Sequence, residues 1–381
     1  MGNFRKLTAY LEELSQGLVE GCACLVYQGE QEVYRCYAGR RTAEEGEVLK
    51  NDTLYRLYSL TKLATAAAVL QLKDQARLGL EDSVENFLPE WKGKGICIRH
   101  LLTMQSGLSY PYDTEEAAEV CEVINEFRNT HSHYTTREYA AMLAHTPLMF
   151  RPGTDFIYGT SYDVLAAVIE EVSGQTFGQY LQENLFNPLH MDNTMFKISR
   201  QDDWERLAGI YSKDEKTGEF YRRWEKDEAY RLDFPFEEGG GGLVSTIDDE
   251  MKLALMFQRN GRNAEGKAVL SEESVALLSQ NALDTKKKRE SFAERFFELS
   301  EENEKICDYG YGMGVRVRIR DGRFPDAPAG EFGWYGMSGS YVLIDRKNRI
   351  TAVYMQQMIP GMEKQIHPML RKKIYEGLYE N

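Results

Sequence analysis

Residues 58–79 read Tyr58-Ser59-Leu60-Thr61-Lys62-Leu63-Ala64-Thr65-Ala66-Ala67-Ala68-Val69-Leu70-Gln71-Leu72-Lys73-Asp74-Gln75-Ala76-Arg77-Leu78-Gly79. The alanine-rich run from Leu60 to Gly79 forms helix readily, so the spacing predicts a helix with Ser59 at or just inside its N-terminus. Lys62 lies three residues on, on the same face, where its amine can reach the Ser59 hydroxyl. Serine is a poor nucleophile by itself, and a lysine in a tight, partly desolvated place can accept its proton. The helix N-terminus further favours negative charge developing there. Taken alone, a Ser-x-x-Lys tetrad arises by chance about once in a chain this long, and a serine at a helix start is ordinarily only a cap. The rest of the chain has to decide.

Outward from this helix, Phe4, Leu7, Leu11, Leu14 and Leu18 recur every three or four residues, which predicts an amphipathic helix over 3–19. Cys22 to Tyr27 and Glu32 to Tyr37 are β-rich runs around Gln28-Gly29-Glu30, a hairpin signal. Near the other end, Gly314 to Arg320, Ser340 to Asp345 and Arg349 to Gln356 read as strands. A closing helix carries Ile366, Leu370, Ile374 and Leu378. This order predicts an α/β (α+β) fold, with a central antiparallel sheet assembled from both termini and helices on its faces. A mainly helical lobe is expected over about 61–235, against an α/β part made of about 1–60 and 236–381. With no repeat or low-complexity linker, 1–381 reads as one domain.

Composition narrows the function. The 46 basic and 60 acidic residues give a net charge of −14, which disfavours non-specific nucleic-acid binding and anionic membranes. Neither a signal peptide nor a run of about 18 apolar residues is visible, so the expected compartment is the cytoplasm. Cys22, Cys24, Cys36, Cys97, Cys121 and Cys307 are scattered among only six histidines, without metal-ligand spacing, and are expected as reduced thiols. No metal or other cofactor is called for.

A second candidate is Tyr158, in Pro152-Gly153-Thr154-Asp155-Phe156-Ile157-Tyr158-Gly159-Thr160-Ser161-Tyr162-Asp163-Val164-Leu165, a stretch that ends in Glu171-Val172-Ser173-Gly174. A tyrosine held between a turn and a helix can project its hydroxyl into a cleft. Beside a lysine ammonium, a phenol can act as general base. Position alone would also suit a packing role for one tyrosine of 23.

Together the strings resemble the class C β-lactamase and DD-peptidase superfamily, and most closely the family VIII carboxylesterases. The resemblance rests on Tyr58 to Lys62, on Ile98-Arg99-His100-Leu101-Leu102-Thr103-Met104-Gln105-Ser106-Gly107-Leu108, and on the stretch around Tyr158. It continues through Gly239-Gly240-Gly241-Gly242-Leu243-Val244-Ser245-Thr246 and Phe332-Gly333-Trp334-Tyr335-Gly336-Met337-Ser338-Gly339-Ser340-Tyr341. These landmarks keep that family's order over about residues 5–375. The resemblance implies a β-lactamase/transpeptidase-like fold with Ser59 as nucleophile, Lys62 as its proton partner and Tyr158 as the second member of the base pair. It also implies an oxyanion hole from the backbone N–H groups of Ser59 and Met337, worth several kcal/mol to a tetrahedral intermediate. His100 is expected to be structural, and Gly239 to Gly242 to let backbone pass tightly beside the cleft.

Two departures bear on substrate. Penicillin-recognising enzymes usually carry an asparagine in the second motif and a cation in the third, where this chain has Tyr158-Gly159-Thr160 and Trp334-Tyr335-Gly336. Indole in place of a cation points to a neutral, apolar group, with Trp334, Tyr335 and Gly336 as substrate-binding residues. The expectation is therefore a serine hydrolase acting on small-molecule esters or amides. β-Lactamase, D-amino-acid peptidase or acyl transferase activity are alternatives on the same machinery, and a non-catalytic binding protein is a further one. The charged segment 284–305, with Phe292, Phe296, Phe297 and Leu299, reads as a surface helix or lid.

Overall fold

The computed structural model describes residues 2–44, 46–112, 114–214, 216–228, 230, 235–296, 308–322 and 326–379. Helix α1 (Arg5–Gly17) buries Leu7, Leu11 and Leu14, the face its spacing predicts. Strands β1 (Gly21–Gln28) and β2 (Gln31–Gly39) form the expected hairpin. Its two-residue turn places Gly29 at φ +63°, a conformation that favours glycine.

Two short ladders follow that periodicity did not reveal. β3 (Tyr55–Arg56) pairs with β6 (Val244–Ser245), and β4 (Tyr211–Lys213) with β5 (Phe220–Arg222). The C-terminal part supplies β7 (Tyr309–Tyr311), β8 (Arg316–Arg318), β9 (Phe332–Gly333), β10 (Tyr341–Asp345) and β11 (Ile350–Gln356). The main sheet is antiparallel, in the order β2-β1-β11-β10-β9-β8-β7. The strand expected over 314–320 is shorter because Gly314, at φ +81°, belongs to the turn joining β7 to β8, closed by Gly312 N–H to Val315 O.

Alternation along the central strands explains the layers. Cys22, Cys24 and Val26 of β1, with Ala352 and Tyr354 of β11, meet α1 and the C-terminal helix Glu363–Tyr379. Ala23, Leu25, Val353 and Met355 face the larger core shared with the remaining helices. That core includes α2 (Thr61–Asp74), α3 (Ile98–Leu102), α4 (Ala118–Thr130), α5 (Thr136–Leu143) and α6 (Ser161–Ser173). Every residue of α2 from Thr61 to Leu72 is buried.

Helix α2 stops at Asp74, short of Gly79, because Ala76 turns left-handed at φ +54° and Arg77 N–H reaches back to Leu72 O at 2.9 Å. This is a Schellman-type end built on alanine, where glycine is usual. Cys22, Cys24, Cys36, Cys97 and Cys121 are free, and Cys307 lies outside the described residues. Among the described residues no helix is long and apolar enough to cross a membrane.

Candidate active site

Ser59 sits in a 3-10 turn, Tyr58–Leu60, that runs directly into α2. Tyr58 before it has φ +46°, a left-handed conformation that costs a non-glycine residue roughly 1 kcal/mol or more and tends to accompany function. Leu57 N–H bonds Leu243 O at 2.9 Å, so the β3–β6 ladder ties the segment that carries Ser59 to the chain just after the glycine run. Leu60 N–H bonds Leu57 O, which leaves the Ser59 N–H among the first donors of the helical segment, where no carbonyl of the turn serves it.

Lys62 is fully buried and reaches three acceptors. Its Nζ lies 3.1 Å from Ser59 Oγ, 3.2 Å from Tyr110 Oη and 2.6 Å from Gly240 O. These match the three donors of an ammonium. The face of the Tyr158 ring lies 4.8 Å from the same nitrogen, within cation–π range. Gly240 is closely packed here: a Cβ there would lie 3.1 Å from Tyr110 Oη and 3.4 Å from Lys62 Nζ, a tight fit. One at Gly239 would lie 2.2 Å from Tyr162 O. The tight passage expected of the glycine run is thus present.

Tyr110 is the residue that sequence reasoning missed. Its signal was weak, a place two residues beyond the Ile98–Leu108 string. Gly159 packs so closely on that segment that a Cβ would meet Leu108 O at 2.1 Å, which draws the Tyr110 and Tyr158 rings to 5.8 Å. Burial, with Tyr158 nearby, raises the Tyr110 phenol well above its usual range. Asp163, in the first turn of α6, accepts the Gly240 N–H at 2.9 Å. Burial and then Glu238 push Asp163 up to about 7, with Lys62 opposing.

Tyr158 is nearly buried, and its hydroxyl accepts a hydrogen bond from Trp334 Nε1 at 3.0 Å. The structure brings Tyr158 to Lys62 by its ring face, with the hydroxyl turned toward the indole. Trp334 is only 1% exposed and stacks on Tyr335 at 5.0 Å, so its nearest polar task is to orient Tyr158. Tyr335 is half-buried and Met337 is 49% exposed.

Residues 336–339 form a turn closed by Gly339 N–H to Gly336 O at 2.9 Å, which does not use the Met337 N–H. A Cβ on Gly336 would lie 2.4 Å from Leu57 O, so this turn abuts the segment carrying Ser59. His100 serves the fold, as expected: Nδ1 accepts the Cys97 N–H at 3.3 Å at the start of α3, and burial lowers its pKa.

The Beta-lactamase family model matches residues 5–375. The chain belongs to the beta-lactamase family. Among its relatives, Protein Rv1367c of Mycobacterium tuberculosis is 26% identical over 373 residues, covering 92% of this chain and 89% of that one. Esterase EstB of Burkholderia gladioli is 31% identical over 212 residues, covering 52% of each chain. The solved structure of EstCE1, described as a hydrolase with promiscuous acyltransferase activity, superposes with a TM-score of 0.81 at 22% identity and covers 98% of both chains. The β-lactamase/transpeptidase-like fold read from the landmarks is therefore this protein's fold.

Proposed function

We propose that this protein is a serine hydrolase of the carboxylesterase kind, cleaving small-molecule esters through an acyl-enzyme on Ser59. The observation that carries the reading is the 3.1 Å approach of Lys62 Nζ to Ser59 Oγ at a buried helix start, with further acceptors around the amine. Lys62 takes the proton as Oγ attacks the carbonyl carbon, and the ammonium so formed meets Ser59, Tyr110 and Gly240. The backbone N–H groups of Ser59 and Met337 hold the oxyanion. Tyr158, oriented by Trp334, works with Lys62 to return the proton to the leaving alcohol and then to draw one from water. The acyl bond breaks in that second half, freeing Ser59.

The third-motif residues Trp334-Tyr335-Gly336 supply no cation for a β-lactam carboxylate, so ester turnover should exceed nitrocefin turnover. That the relative EstB is an esterase supports ester cleavage. Acyl transfer to a second alcohol is the next reading, favoured by the aromatic surface beside Tyr158, which limits water. We place the protein in the cytoplasm, consistent with its free thiols, with a small-molecule ester or amide as partner and neither nucleic acid nor membrane.

The test is intact-mass analysis after treatment with a fluorophosphonate probe and with nitrophenyl esters. One adduct on the wild type, absent in Ser59→Ala, is expected. No adduct on the wild type would overturn the enzyme reading, and an adduct persisting in Ser59→Ala would overturn the nucleophile. Added alcohol that captures the acyl group as a new ester would favour the transferase reading.

A further inference from the structure

Helix Lys286–Phe296 is a surface helix, and its inner face lies against the candidate site. Most of its residues are charged, yet Phe292 and Phe296, four apart, share one face. Phe292 is the anchor. It is 1% exposed and meets Phe156 edge-on at 5.3 Å. Phe296, one turn on, packs edge-on at 5.2 Å against both Tyr158 and Trp334, and at 6.2 Å against Tyr335.

The helix is also tied to the segment that carries Tyr158. Asp155, three residues before that tyrosine, accepts Ser291 Oγ at 2.7 Å and pairs with Lys287 Nζ at 2.6 Å. The same carboxylate accepts the Phe156 N–H at 2.9 Å. These bonds hold its pKa below the usual carboxylate range, against the opposing effect of burial, so the clip is charged at neutral pH.

We propose that Phe296 is a specificity-determining residue, the wall that limits the acyl group of the substrate to short, apolar chains. This deepens the esterase reading and rests on it. Three features carry it: the aromatic contacts onto Tyr158 and Trp334, the core anchor at Phe292, and the Asp155 clip. With Phe296 in place, Trp334 is 1% exposed and Tyr158 8%, so the indole offers little surface to a long chain. Removing the phenyl ring takes away its edge-on cover of Trp334 and Tyr335, which is where a longer chain would then lie. Enlarging it closes the site further.

The experiment compares kcat/KM for nitrophenyl acetate, butyrate and octanoate in wild type, Phe296→Ala and Phe296→Trp, with fluorophosphonate labelling and thermal unfolding of each. The wild type should favour the short esters. Phe296→Ala should raise the octanoate-to-acetate ratio about 10-fold or more, and Phe296→Trp should lower it. If the alanine variant does not fold, the tryptophan variant decides alone. A ratio unchanged within about twofold in the folded variants overturns the wall, and so does a wild type that prefers octanoate. A second series of acetate esters varies only the alcohol, and an effect confined to that series overturns the acyl assignment. Failure of the wild type to label or turn over sinks the esterase reading and the wall together, whereas intact labelling with an unchanged ratio sinks the wall alone.

Discussion

Lys62 on α2 and Glu250 on helix Ile247–Gln258 are both fully buried, and the fold treats them in opposite ways. Around Lys62 stand a serine hydroxyl, a phenol and a backbone carbonyl, with the Tyr158 ring against the same nitrogen. Around Glu250, neither carboxylate oxygen has a hydrogen-bond partner among the described residues. Burial, with Asp249 adding to it, pushes Glu250 up to about 8, so it is protonated at neutral pH. A buried ionisable group does not mark a working site unless the fold replaces the water it has lost. The glycine run makes part of that replacement at Lys62, where Gly240 brings its carbonyl to 2.6 Å from the amine.

The largest effect expected is from Lys62→Met, which keeps volume and removes the amine. Turnover of a short ester should fall by about 10³-fold or more, as for loss of a general acid–base group. A folded variant that retained a tenth of wild-type kcat, about 1.4 kcal/mol of barrier, would show that the three acceptors hold a merely structural cation. The two tyrosines sharpen the comparison. Tyr158→Phe removes a hydroxyl assigned to proton transfer but keeps the ring face at Lys62, and should cost kcat about 10²-fold. Tyr110→Phe removes one acceptor from a charged donor and should cost about 10-fold or somewhat more. The reverse order, read from kcat at saturating ester, would make Tyr110 the base and leave Tyr158 as packing.

What sequence could and could not reveal follows the same division. Ser59 and Lys62 are legible because they are three residues apart on one helix, and helix geometry alone puts them together. The hairpin of β1 and β2 and the faces of α1 and the C-terminal helix are legible for the same reason: periodicity is local. Tyr110 is not. Its meeting with Lys62 depends on Gly159 seating one loop on another, a contact between segments about 50 residues apart in sequence that no spacing rule encodes. The end of α2 was misread because Gly79 is the usual stop, whereas Ala76 takes the left-handed position itself. In the charged segment 284–305, Phe292 and Phe296 are visible as apolar residues, but only tertiary structure shows that their shared face meets Tyr158, and residues 297–305 lie outside the described part.

The smallest effect tests the other half of the comparison. Glu250 has a usual value of 4.5 in an unfolded chain and about 8 in this fold. Between those values the folded chain keeps a proton that the unfolded chain has lost, so stability falls as pH rises through that window and levels off above it. Glu250→Gln has no proton to lose at this position. Its Tm relative to wild type should therefore be lowest near pH 5 and climb steadily to about pH 8.5, while ester turnover per folded molecule stays as it was. Parallel Tm curves for the two proteins over that range would mean that Glu250 finds solvation the fold does not display, and that the contrast with Lys62 is one of degree. A rising difference would show that burial is a stability cost at Glu250, where no described residue replaces the lost water, in contrast to Lys62 with its three acceptors and the Tyr158 ring.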